Sequence, residues 1–375
     1  MTETIWIVGA RRTPQGRFLG GLSHRSAVDL AVIAGQAALN TIDPAHVDTV
    51  IVGNVLSAGL GMNVARQVGM QMNLPISVPA YTVNMMCLSG LQAVNLAVKE
   101  IQSGAARMVL CGGTESMSRA PHLLQRMRSG LKFGHGEMID SLLSDGLTDP
   151  ISREHMALTA ERIAEQFQIS REAQDQFALN SQQRASAAMS AGLFEQEIVP
   201  VDGVRQDEQP RPDSTLEGLA KLKPAFAKSG TVTAGNASGL NDGAAMLVLC
   251  DAAFGEQLGL TPLVVIRETA VVGCDPQVMG LGPVFALRKI GRPVDDYDVV
   301  ELNEAFAAQS LRCIQELNLD PARVNPDGGA IALGHPLGAS GARLLVHLAH
   351  RKPVRGVATL CAGGGMGGAV VVERP

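Results

Sequence analysis

Aromatic side chains are scarce in this sequence. One Trp, two Tyr and nine Phe make up 3% of 375 residues. So little flat π surface argues against stacking platforms for single-stranded nucleic acid. It also leaves Ala, Val, Leu, Ile and Met to build the core. Cationic runs are lacking: no stretch of Lys and Arg exceeds two residues, and the net charge is −5. That excludes the electrostatic footprint of a nucleic-acid or membrane-surface binder. Long apolar runs are missing too. The longest, 244–250, falls far short of the ~20 residues that span a bilayer. The run 5–10 is too short for a signal-peptide core and has no basic leader, so a cytoplasmic protein is expected. The six cysteines include no Cys-x-x-Cys pair and none stands at finger spacing from a histidine. No metal site is expected, and the usage fits a reduced compartment. Walker A, Gly-x-Ser-x-Gly and His-Glu-x-x-His patterns are absent.

Glycine, by contrast, is abundant: 41 of 375 residues, about 11% against a typical ~7%. The chain is long enough for two or three domains, and 46% hydrophobic residues supply a large core. Its first third alternates strands with helices. Strands are expected over 5–8, 47–52, 80–83 and 107–111, with helices over 26–39 and 64–72 and a third between Cys87 and Gly104. From about Arg119 to Leu240 the pattern breaks into a long excursion. It holds one clear amphipathic helix, 170–192, capped by Ser170, and a polar loop over 203–215. The alternation then resumes: strands over 246–250, 263–272, 299–302, 356–361 and 369–372, and helices over 304–317 and 338–350. This predicts a wound α/β architecture.

The two α/β parts also resemble each other. Cys87-Leu-Ser-Gly opens a helix whose following strand ends at Cys111-Gly-Gly. His335-Pro-Leu-Gly-Ala-Ser-Gly opens another, whose following strand ends at Cys361-Ala-Gly-Gly. A duplicated pair sharing one interface brings both helix starts together. Cys87, His335 and Cys361 are then expected at one cleft.

A cysteine in a reduced protein is more often an inert core residue. Cys87 is different because it sits where a strand turns into a helix. Unpaired N–H groups and the helix dipole there are expected to lower its thiol pKa. Those N–H groups also suit a developing oxyanion. His335, held by Pro336 at a helix mouth, is expected to be a neutral imidazole able to accept the thiol proton. Gly363-x-Gly-x-x-Gly368 formally matches a dinucleotide fingerprint. It precedes a strand instead of opening a helix, so the match is rejected. Its glycines more plausibly let a substrate approach the backbone.

These residues carry a family resemblance that runs nearly end to end. The chain resembles the thiolases, most closely their biosynthetic acetyl-CoA acetyltransferase branch. The matching blocks are Val8–Pro14, Cys87-Leu-Ser-Gly90, Gly112-Gly-Thr-Glu-Ser-Met-Ser118, Gly235–Ala245, Asn303-Glu-Ala-Phe306, Gly334-His335-Pro336 and Cys361-Ala-Gly-Gly-Gly-Met-Gly367. The resemblance implies two duplicated βαβαβαββ halves in a layered α-β-α-β-α arrangement with an inserted loop domain. The divisions it implies are 1–118 plus 241–260, the covering loop 119–240, and 261–375. It implies reversible Claisen condensation of two acetyl-CoA to acetoacetyl-CoA and CoA. These are substrates; no further cofactor is implied. Cys87 carries the acyl group and His335 activates it. Cys361 moves the α-proton, Asn303 orients a water, and the Gly363 N–H completes an oxyanion hole. Ala234, Ser238 and His155 would meet the pantetheine. Met156 and Met279 would line the acyl pocket, Leu147 would be a further substrate-binding residue, and Phe226, Leu240, Ala305 and Phe306 would border the tunnel. Arg211 would meet the adenine–phosphate end. The covering loop implies a homotetramer built from dimers. A degradative 3-ketoacyl-CoA or 3-oxoadipyl-CoA thiolase with a longer substrate is the alternative. Leu88, Ala157, Leu158 and Phe285 depart from the family pattern. Leu88 either narrows the acyl site or points into the core.

Overall fold

The computed structural model describes residues 4–375. Nine strands form one path: β1 (Ile5–Arg12), β2 (Thr49–Gly53), β3 (Ala80–Val83), β4 (Met108–Ser116), β5 (Asn241–Asp251), β6 (Val264–Gly273), β7 (Val299–Leu302), β8 (Arg355–Ala362) and β9 (Met366–Glu373). Their order is β7-β8-β9-β6-β1-β5-β4-β2-β3, with Gly16–Arg17 added on β5. The main helices are α1 (Ala27–Leu39), α2 (Val64–Gln71), α3 (Ser89–Gln102), α4 (Met156–Gln166), α5 (Arg171–Ser190), α6 (Gly282–Ile290), α7 (Ala307–Leu317) and α8 (Leu337–Arg351).

The strand order contains the duplication. In the first half β1, β5 and β4 pair antiparallel in turn, then β4, β2 and β3 pair parallel. In the second, β6, β9 and β8 pair antiparallel, β8 and β7 pair parallel, and Val324 bridges Val300 in parallel where a fifth strand would lie. The half-sheets join edge to edge, Ile5–Ile7 against Val264–Ile266. Helices α3 and α8 pack on each other between the half-sheets; α1 covers one outer face and α6 the other. This is the layered arrangement the resemblance implies.

Local sequence accounts for the elements. Ser26 and Asp29 form a reciprocal capping box that starts α1. Ser170 caps α5. The central helices are capped by no side chain: Leu88 precedes α3 and Pro336 precedes α8. Their first N–H groups therefore need partners elsewhere in the fold. From Leu337 to Ala349 every residue of α8 is buried, as expected of a helix between two sheets. Small residues permit that sandwich. A Cβ on Gly113 would stand 1.9 Å from the Gly338 carbonyl oxygen, and one on Gly90 would stand 2.6 Å from it.

Several expected strands were too short. β4 runs on through Gly112-Gly113-Thr114-Glu115, and β5 begins at Asn241 instead of 246. Both pair along their full length, so cross-strand bonding overrides the weak strand preference of glycine and asparagine. Helices α4 and α6 were not anticipated, and α7 starts at Ala307, after the Asn303–Phe306 block. The stretch after Arg119 holds a small hairpin, His122–Leu124 with Met138–Asp140. Among the described residues, no helix is long and apolar enough to cross a membrane. Nor does any group of three or more His, Cys, Asp or Glu converge there as metal ligands.

A buried ionic cluster ties the excursion to the core. Arg12 on β1 contacts Asp207 at 2.6 and 2.9 Å and Glu197 at 2.7 Å. His347 on α8 lies between Glu197 (2.9 Å) and Asp327 (3.0 Å). Burial opposes charge on His347, but Glu197 and Glu301 overcome it and push its pKa up to about 10. Burial likewise opposes charge on Glu197, yet Arg12 and His347 hold it down at about 2. The raised histidine stabilises the fold fully below about 6.5, and that contribution is lost as pH rises through about 10. The depressed glutamate stabilises fully above about 4.5, and that contribution is lost as pH falls through about 2. The gap in thermal midpoint between wild type and His347→Gln should therefore be widest between these limits and shrink from pH 6.5 to 10. A constant gap over that alkaline range contradicts this account.

Candidate active site

The site forms where the two central helices begin. β3 ends at Val83 and the chain turns sharply into α3. Met86 takes a left-handed conformation, φ +52°, which is costly for a side chain of its size. Two neighbours hold it. The Asn84 side-chain oxygen accepts from the Met86 N–H at 3.0 Å. Ser89 Oγ accepts from the Met85 N–H at 2.9 Å and donates to the Met86 carbonyl at 2.6 Å. This turn presents the Cys87 sulfur to a cavity of about 450 Å³.

Across the cavity the second half supplies the imidazole. Gly334, φ +106°, leaves no room for a side chain beside Asn241. The Asn241 side-chain oxygen accepts from the His335 N–H at 2.9 Å. His335 Nε2 then lies 3.3 Å from Cys87 Sγ, and its Nδ1 lies 2.6 Å from Ser340 Oγ. Cys361, at the end of β8, lines the same cavity among Met156, Met279, Ala305 and Phe306. Duplication thus does bring Cys87, His335 and Cys361 to one cleft.

Electrostatics correct one expectation. Cys87 is half-buried at the cavity wall. Burial pushes its pKa up to about 12, against the N–H groups of Gly363 and Cys87 itself, which favour the thiolate. The helix-start effect is present, but desolvation outweighs it. The resting group is a thiol that needs a base. His335 suits that need: burial, then the charge of Arg343, lowers its pKa to about 4, so the imidazole is neutral. Burial also raises Cys361 well above an ordinary thiol, and the neighbouring Cys87 adds to the rise.

The other expected residues are placed as follows. Leu147, His155, Met156, Arg211 and Phe226 line the cavity. So do Ala234, Ser238, Leu240, Met279, Ala305, Phe306 and Gly363. His155 caps α4 by accepting from the Ala157 N–H at 3.1 Å, and it stacks on Phe226 with ring centres 4.7 Å apart. Ser238 is strapped to the opposite wall, its N–H donating to the Ala305 carbonyl at 3.1 Å. Asn303 is the exception. It is fully buried, is not part of the cavity wall, and neither side-chain amide atom has a hydrogen-bond partner. A buried amide with both ends unpaired is unusual and suits a polar group brought from outside the protein. Leu88 packs in the core against α3 and β9 and is absent from the cavity wall, so it does not narrow the acyl site.

Sequence reading missed Met86 and Met117 on the wall, Gln209 beside Gly239, and the serine behind His335. It also missed Glu115. That buried carboxylate accepts from Asn54 Nδ2 (2.8 Å) and the N–H groups of Val55 (3.1 Å), Leu56 (3.0 Å) and Gly338 (2.9 Å). It thereby satisfies the uncapped start of α8. Burial raises its pKa to about 7 despite these donors.

Duplicated α/β halves meet around a largely apolar pocket lined by Cys87, Cys361 and His335, a set suited to acyl transfer through a thioester. Family models give the particular kind: residues 5–253 match the thiolase N-terminal domain and residues 260–374 the thiolase C-terminal domain. The chain belongs to the thiolase family. It is 49% identical over 390 residues to an acetyl-CoA acetyltransferase of Chromobacterium violaceum, covering 99% of this chain and 100% of that one. It is 48% identical over 393 residues to that of Cupriavidus necator, covering 100% of both. Among solved structures, an acetyl-CoA acetyltransferase from Syntrophomonas wolfei superposes with a TM-score of 0.98 at 40% identity, covering 100% of both chains. Human mitochondrial 3-ketoacyl-CoA thiolase in complex with CoA superposes at 0.97 with 44% identity, covering 100% of this chain and 98% of that one.

Proposed function

We propose that this thiolase joins two acetyl-CoA molecules into acetoacetyl-CoA and CoA, reversibly, through an acetyl thioester on Cys87. The observation that carries the reading is the 3.3 Å contact between Cys87 Sγ and a neutral His335 Nε2, facing the cavity. The sulfur attacks the acetyl carbonyl as its proton passes to Nε2. The carbonyl oxygen becomes an oxyanion for which the N–H groups of Cys87 and Gly363, already beside the Cys87 sulfur, serve as donors. The tetrahedral adduct collapses, and the departing CoA sulfur takes the proton from Nε2. A second acetyl-CoA then loses an α-proton to the thiolate form of Cys361, and the carbanion attacks the acyl-enzyme carbonyl. The Cys87–acyl bond breaks to release acetoacetyl-CoA, and the departing Cys87 sulfur takes up the proton that Cys361 accepted. Asn303, with its unpaired amide, orients a water toward the second thioester oxygen. Excursion residues His155, Phe226, Ala234 and Ser238 form the pantetheine walls, Arg211 meets the outer end of CoA, and the protein acts as a homotetramer in the cytoplasm.

Incubation with acetyl-CoA should add one acetyl mass to the wild-type chain and none to Cys87→Ala. Acetylation of Cys87→Ala sinks the assignment. A degradative role with longer 3-ketoacyl-CoA esters is the second reading, favoured by the likeness to the human 3-ketoacyl-CoA thiolase. Thiolysis across a chain-length series separates the two. The acetyl reading expects rates to fall sharply beyond acetoacetyl-CoA, because Met156 and Met279 pack in one cluster with Cys361, and Met86 in one with Cys87, along the cavity wall.

A further inference from the structure

We propose that Ser340 is a positioning residue that fixes the tautomer of His335 and supports its protonated form. This rests on the reading of Cys87 and His335 as nucleophile and base. Ser340 is buried, at 2% exposure, and its hydroxyl has a single proton. The Oγ lies 2.6 Å from His335 Nδ1 and 3.2 Å from the Pro336 carbonyl oxygen. A carbonyl only accepts, so a serine proton directed at Pro336 leaves the serine lone pair facing Nδ1 as acceptor, and the assigned tautomer has its proton on Nδ1. Nε2 is left bare, facing the Cys87 thiol at 3.3 Å.

This arrangement serves both states of the base. In the neutral imidazole Nδ1–H donates to Ser340 and Nε2 accepts the thiol proton. In the imidazolium the same Nδ1–H bond persists, now charge-assisted, and Nε2–H is ready for the leaving CoA sulfur. No group reorients between proton uptake and proton return. The partner is a hydroxyl, where a carboxylate would hold the imidazolium too firmly. A permanent negative charge at Nδ1 would favour the thiolate–imidazolium pair at rest. The neutral hydroxyl helps only once the proton has moved.

The test uses the full enzyme, read by single-turnover acetylation and by iodoacetamide alkylation of Cys87. Ser340→Ala should slow both by about 10- to 100-fold, the worth of a hydrogen bond to a charged group. Ser340→Thr, which keeps the hydroxyl, should restore most of both rates. The alkylation arm has a sign that loosening cannot mimic. A merely disordered start of α8 would expose the thiol and speed alkylation. Wild-type acetylation in Ser340→Ala, or faster alkylation, overturns the proposal. Should Ser340→Ala fail to fold, the wild-type protein still decides, because nitrogen-15 shifts of labelled histidine report the tautomer. A proton on Nδ1 of His335 supports the assignment, and a proton on Nε2 with Nδ1 bare refutes it. If wild type takes up no acetyl group, the function is wrong. The alkylation arm would still read the coupling of Ser340 to Cys87.

Discussion

Cys361→Ala should leave acetylation of Cys87 intact and stop carbon–carbon bond formation. Cys361, 1% exposed, lines the cavity in an apolar cluster with Met156, Met279, Ala305 and Phe306 and takes no part in the Cys87–His335 hydrogen bond. In the proposed mechanism it is not needed to move the Cys87 proton, which passes to His335, and as its thiolate it accepts a proton from the substrate methyl. Burial raises its pKa, and an ionised Cys87 would raise it further, so the two thiols do not ionise together. Loss of a positioned acid–base group typically costs 10²- to 10⁴-fold, so both condensation and thiolysis should fall by about 10³-fold. The acetyl mass on Cys87 should appear at nearly the wild-type rate. Near-normal condensation by Cys361→Ala would remove Cys361 from the mechanism.

The second large effect is on folding. Gly113→Ala places a Cβ 1.9 Å from the Gly338 carbonyl oxygen, 2.8 Å from its carbonyl carbon and 3.0 Å from Gly90 Cα. All three atoms are backbone, so no side chain can rotate away. Relief requires moving β4 away from the starts of both central helices. Overpacking a well-packed core costs about 1–3 kcal/mol, and a backbone clash belongs at or above the top of that range. The change should also separate Cys87 from His335, because those same helix starts carry them. Denaturant unfolding would show the lost stability, and slow single-turnover acetylation would show the lost contact. Gly273→Ala is the matched control. Its Cβ meets only the Gly365 carbonyl oxygen, at 3.9 Å, and it should change stability by less than about 0.5 kcal/mol. Equal stability of the two variants contradicts the close-packing account.

Much of this was legible in the sequence, for physical reasons that differ by residue. The helix from Cys87 to Gly104 was readable because Leu91, Val94, Val98 and Ile101 keep one face buried. The meeting of Cys87 with His335 was readable because two similar segments imply two similar helix starts. The full extents of β4 and β5 were not, because Gly112, Gly113, Asn241 and Asp242 become strand only by pairing across the sheet. The raised thiol at Cys87 was misread for a similar reason. A helix start is a local feature, while desolvation depends on distant segments, such as those of Met117 and Leu337, that pack in one cluster with Cys87. Nor does any spacing rule announce the unpaired amide of Asn303 or the four donors that converge on Glu115.

The place of β1 in the sheet sets a timetable for synthesis. It leaves the ribosome first, yet its partners are β5 and the beginning of β6, so its edges stay open until more than two thirds of the chain has emerged. Pairings this distant in sequence make for slow folding, and unpaired strands invite association between nascent chains. Refolding from denaturant should therefore be slow and sensitive to concentration. A break in the chain between the two family-matched segments would leave β1 lending an edge to a strand on a separate polypeptide.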